Sequence, residues 1–101
     1  VILLKEGVVM EQVRAHVTVS GRVQGVNFRA NARERARTIG VYGWVRNLDD
    51  GRVEAVFEGP RAAVSRLVSW CYGGPSHAQV DHVEVKWERP TGCENGFTIV
   101  W

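Results

Sequence analysis

Two residues far apart in the chain carry the chemistry that this sequence offers. Arg29 follows a glycine-spaced loop, SGRVQGVNFR (Ser20–Arg29), and Asn47 stands near the end of a strand-like run, VYGWVRNL (Val41–Leu48). Gly21 and Gly25 admit backbone conformations that turn successive N–H groups toward one centre, an arrangement that holds an anion. A helix opening just after Asn27 adds the positive end of its dipole. Arg29, at about the second position of that helix, presents a planar fork able to bind two oxygens at once. Together these donors suit a tetrahedral, multiply charged group such as phosphate. A carboxamide such as that of Asn47 is no useful base near neutral pH, but it can orient a water molecule through hydrogen bonds.

Each feature alone has a plainer reading. Gly-x-x-x-Gly-x-x-x-Arg also describes an ordinary strand-to-helix loop with a solvated arginine. An asparagine shortly before Asp-Asp-Gly also describes a turn. The elements around them decide whether the two can meet. Val13, Ala15, Val17 and Val19 alternate with Arg14, His16, Thr18 and Ser20, the period of a half-buried strand. Phe28, Ala32, Ala36 and Ile39 then share a helical face. Asn27 is expected to cap that helix through its side-chain oxygen, and Gly40 to end it. Val41–Leu48 and RVEAVFEG read as strands joined through Asp50-Gly51, a hairpin signal.

A second helix is expected to open at Gly59-Pro60, with the proline in its first turn. It presents Val64, Leu67, Val68 and Cys71 on one face and stops at Gly73-Gly74-Pro75. VDHVEVKWE alternates again, which predicts Val83, Val85 and Trp87 inward, and GFTIVW closes as a short strand. The order predicts an α+β fold. It is a ferredoxin-like βαββαβ sandwich, an antiparallel sheet with two helices on one face and a short C-terminal extra strand. A helical crossover makes the first two strands parallel. The glycine loop and Asn47 therefore leave the sheet at the same rim.

The 101 residues, with a formal net charge of +2, fit one mildly basic domain. Residues 12–101 are expected to form it, with 1–11 as an N-terminal extension, disordered or a start-site artefact. No apolar run reaches the ~20 residues of a membrane span, and nothing reads as a signal peptide. The expectation is a cytoplasmic monomer whose Cys71 and Cys93 form no disulfide framework. Arg29, Arg33 and Arg37 recur every four residues, as a nucleic-acid stripe or as a solvated helix face. The second reading is favoured, because RVEAVFEG offers only Phe57 as a sheet aromatic for stacking bases. His16, His77 and His82 show no ligand spacing with each other or with the cysteines, so no metal site is expected.

HVTVSGRVQGVNFR (His16–Arg29) closely resembles the first signature of the acylphosphatases, and GVYGWVRNLDDGRVEAVFEGP (Gly40–Pro60) resembles their second. The likeness runs from about Arg14 to the closing GFTIVW. It implies a small enzyme, without metal or cofactor, that hydrolyses small-molecule acyl phosphates to a carboxylate and inorganic phosphate. It further implies that Arg29 binds the phosphate and Asn47 positions the attacking water. The backbone of Arg22, Val23, Gln24, Gly25, Val26, Asn27 and Phe28 would form the phosphate cradle. Two positions depart from the family's usual form: Asn27 occupies a variable site, and Trp101 stands where relatives often have a polar or basic residue. The alternative is a non-catalytic phospho-ligand or nucleic-acid binding module on the same fold.

Overall fold

A computed structural model of the chain describes the backbone of Ile2–Leu3 and of residues 9–101, and the side chains from Glu11 onward. The extension expected over residues 1–11 therefore lies largely outside the described residues. Its described part is a two-residue antiparallel pairing of β1 (Ile2–Leu3) with β2 (Val9–Met10).

The domain then runs β3 (Gln12–Arg22), α1 (Phe28–Ile39), β4 (Tyr42–Asn47), β5 (Val53–Pro60), α2 (Arg61–Cys71), β6 (Gln79–Glu88) and β7 (Phe97–Ile99). These five strands form one sheet in the order β6-β3-β5-β4-β7. β5 pairs antiparallel with both β3 and β4, so those two run the same way on either side of it. β7 joins the free edge of β4 in parallel, which makes the sheet mixed. The architecture is the ferredoxin-like sandwich.

Strand alternation builds the core. Val13, Ala15, Val17 and Val19 of β3 and Val53, Ala55 and Phe57 of β5 are all buried beneath the helices. They meet Phe28, Ala32 and Ala36 from α1 and Val64, Leu67, Val68 and Cys71 from α2. Phe97 reaches in from β7 and stacks on Phe57, with ring centroids 5.7 Å apart. Each large side chain so buried is worth about 1.5–3 kcal/mol, which makes the three-residue β7 a firmly seated strand. Arg37 adds a tie, its Nε donating to the Phe97 carbonyl.

The opposite face of the sheet carries charge. Glu58, only 7% exposed, accepts hydrogen bonds from Arg14 and from the amides of Thr91 and Gly92. Burial pushes the Glu58 carboxyl up, but those amides and the Arg14 guanidinium outweigh it and hold the group below the ordinary carboxylate range. Arg14 also binds Glu88 and Glu94. This network clamps the segment that crosses from β6 at one edge to β7 at the other, and β7 borders the site described below.

Four local readings differ from the structure or are sharpened by it. Asn27 caps α1 without a side-chain hydrogen bond; it adopts the left-handed conformation (φ 65°, ψ 27°) that asparagine tolerates better than most residues. Its carbonyl instead receives the Asn31 amide and side chain. Pro60 is the last residue of β5 and precedes α2 in an extended conformation, so it is the cap and not a first-turn residue. Trp87 is 51% exposed. It lies near the end of an edge strand whose inward residues Val83 and Val85 are themselves only half-buried. Cys71 and Cys93 are both free, and burial pushes the Cys71 thiol up to about 12, leaving it inert at neutral pH.

Candidate active site

The loop between β3 and α1 begins with a β-bulge at Ser20/Gly21. Gly21 has φ 124°, and a Cβ there would lie 2.2 Å from the Gln79 carbonyl oxygen. Close passage against β6 therefore demands this glycine, and it takes no part in an amide nest. Arg22 is likewise the last paired residue of β3, opposite Gln79. The nest-like stretch comes after them. Gly25 (φ 73°) and Asn27 (φ 65°) are left-handed while Val26 between them is not. That alternation turns successive amides toward a shared centre. Among the described residues, none of the amides from Val23 to Ala30 donates a hydrogen bond to a backbone carbonyl.

Two neighbours hold this loop in place. Val26 packs against the core. The Gln24 side chain reaches across to the β4–β5 hairpin, its Nε2 donating to Leu48 O at 2.8 Å and to Arg52 O at 2.9 Å. The hairpin is itself closed by Leu48 N–H to Arg52 O and by Asp50 accepting the Arg52 amide. Since Asn47 immediately precedes Leu48, Gln24 sets the spacing between the loop and Asn47. This strapping role was not anticipated from the sequence. The available signal was a long polar side chain between Val23 and Gly25, in a loop that otherwise offers only Asn27 as a polar side chain before α1.

The rim holds a pocket of about 210 Å³ lined by Val23, Gly25, Asn27, Phe28, Arg29, Ala30, Asn47, Ile99 and Trp101. Arg29, in the first turn of α1, and Asn47, at the end of β4, thus face one space. Gln24 and Val26 support the loop from behind. Asn47 closes β4, and its Oδ1 is buried without a hydrogen-bond partner. Buried polar atoms are nearly always paired, so an unpaired acceptor on a pocket wall marks a place for a donor from outside. Among the described residues Arg29 makes no ion pair; its guanidinium lies 4.5 Å from the ring centroid of Trp101. Among the described residues, no Asp, Glu or His side chain lines the pocket. The lining can hold a compact anion and a water, and offers no side chain for proton transfer near neutrality. A larger hollow of about 330 Å³ between α1 and α2, lined by Arg35, Arg66 and Trp70 among others, contains none of these residues.

Comparison with known proteins gives the family. The acylphosphatase family model matches residues 15–99. The chain is 70% identical over 92 residues to an acylphosphatase of Roseiflexus sp., covering 91% of this chain and 99% of that one. It is 71% identical over 92 residues to an acylphosphatase of Chloroflexus aurantiacus, covering 91% of this chain and 100% of that one. Among solved structures, the acylphosphatase from Bacillus subtilis matches with a TM-score of 0.84 at 36% identity, covering 88% of this chain and 99% of that one. The chain belongs to the acylphosphatase family, and it is an enzyme of that class.

Proposed function

We propose that the protein hydrolyses acyl phosphates to a carboxylate and inorganic phosphate by in-line attack of water on phosphorus. The water oxygen forms the new P–O bond. The bond from phosphorus to the acyl oxygen breaks, and its electron pair leaves with the carboxylate. The proton lost by the water passes to solvent or to a phosphate oxygen. An acyl phosphate is a mixed anhydride, and its leaving group is a weak base with a carboxyl pKa of about 4. It departs without a general acid, which matches a pocket whose described lining has no His, Asp or Glu side chain. The transition state spreads charge over the equatorial oxygens, so catalysis is mainly positioning and electrostatic stabilisation. In this reading Arg29 and the amides of residues 23–28 hold those oxygens, Arg22 being left to the β3–β6 pairing. Asn47 Oδ1 accepts a hydrogen bond from the attacking water and aims it.

The observation that carries the reading is the meeting of Arg29, the unpaired loop amides and the unpaired Asn47 Oδ1 around one pocket. The test is release of inorganic phosphate from benzoyl phosphate in the presence of a chelator, compared with an ordinary phosphate ester. Rapid, chelator-resistant release from the anhydride and none from the ester is expected. A protein that binds phosphate at this pocket yet leaves benzoyl phosphate intact would be a binding module and would end the proposal.

A further inference from the structure

The pocket is lined by more than the donors that would hold a phosphate. Val23, Ala30, Ile99 and Trp101 bring apolar surface to the pocket that Arg29 lines. A phosphate group needs donors and gains nothing from such a surface. That surface is free to receive whatever the phosphate carries. Trp101 is the most open member: it is 90% exposed although the Arg29 guanidinium stacks 4.5 Å from its ring centroid. Stacking engages the flat face of a guanidinium and leaves the N–H groups at its edge free for oxygens. One indole can therefore steady Arg29 and still offer apolar surface to a ligand. The family match ends at Ile99, so Trp101 lies beyond the portion of the chain that it covers.

We propose that Trp101 is the platform for the acyl group, and that it makes the protein favour flat aromatic acyl phosphates over small aliphatic ones. This rests on the reading that acyl phosphates are the substrates. Hydrolysis fixes the phosphorus end of every such substrate in the same way, so discrimination has to come from the far end. Trp101 supplies the only aromatic ring at the mouth of the pocket among its described lining, Phe28 being buried in the core.

The experiment compares benzoyl phosphate with acetyl phosphate in the wild type, Trp101→Ala and Trp101→Phe. In parallel, it measures binding of the non-hydrolysable benzoylphosphonate and acetylphosphonate by calorimetry. An aromatic contact of this kind changes affinity by about two- to tenfold. The benzoyl-to-acetyl ratio of kcat/KM should fall by that factor in Trp101→Ala, mostly through KM, and recover in Trp101→Phe. The affinity ratio of the two phosphonates should move in step. An equal loss on both substrates, with weaker inhibition by phosphate, would mean that Trp101 serves Arg29 alone and would overturn the proposal. A wild type that binds both phosphonates equally would overturn it too. A wild type that hydrolyses neither acyl phosphate, yet shows Trp101-dependent preference for benzoylphosphonate, would support the platform and reject the hydrolytic reading on which the substrate assignment rests.

Discussion

Asn47→Ala separates catalysis from folding more cleanly than any other change at this site. The side chain makes no hydrogen bond to the protein among the described residues, and its Oδ1 is buried without a partner. Truncation therefore breaks no internal bond. It removes a desolvated acceptor whose burial costs roughly 1–3 kcal/mol, set against a small loss of packing. Thermal stability should stay level or rise slightly. Turnover should behave oppositely. By analogy with single oriented groups in oxyanion sites, losing this one should cost about 10²–10³ in kcat, or roughly 2.7–4 kcal/mol of barrier. Inhibition by inorganic phosphate should change by less than about threefold, because the loop amides and Arg29 remain. The assay is steady-state phosphate release, with phosphate as competitive inhibitor and a melting curve on the same sample. Unchanged kcat, or a fall in Tm large enough to explain the lost activity, would refute the reasoning.

Three further outcomes are expected. Arg29→Ala should weaken phosphate inhibition and turnover together, and Arg29→Lys should restore only part of both, since an ammonium cannot replace a bidentate fork; kinetics and phosphate titration of the two variants check this. Gln24→Ala removes both hydrogen bonds between the loop and the hairpin, which should cost about 1–3 kcal/mol in urea denaturation and also loosen phosphate binding. The buried Glu58 carboxyl is held below its ordinary range, so its stabilising contribution is fully present above about pH 4.5 and disappears as pH falls through the lowered folded value. Melting curves of wild type and Glu58→Gln should therefore differ by a constant amount at neutral pH and converge in acid; a gap that widens on acidification would reverse the sign assigned here.

Much of the scaffold was legible because its signals are local. The alternation from Val13 to Ser20, the Ala32–Ala36 helix face, Gly40 and the Asp50-Gly51 turn each depend on residues within a few positions of one another. The juxtaposition of Arg29 and Asn47 was legible at one remove, since a helical crossover between β3 and β4 forces both features to the same rim. What escaped depends on the assembled sheet. Nothing in VDHVEVKWE says that β6 will be an edge strand, near whose end Trp87 is left exposed. Asn27 is a good side-chain cap by composition, but the loop needs a left-handed residue there, and the backbone requirement wins. Gln24 binds carbonyls 24 and 28 residues away, and Trp101 stacks on a residue from the other end of the domain. Distances of that kind leave no periodic trace.

The central claim is that one anion site is shared by the loop amides, Arg29 and Asn47. A crystal structure with bound inorganic phosphate tests it most directly. Phosphate oxygens within about 3 Å of the Arg29 guanidinium and of amides in the 25–28 stretch, with a water between Asn47 Oδ1 and phosphorus, is the predicted result. Phosphate seated instead between Arg35 and Arg66 in the groove of the two helices, with the rim pocket filled only by solvent, would contradict it.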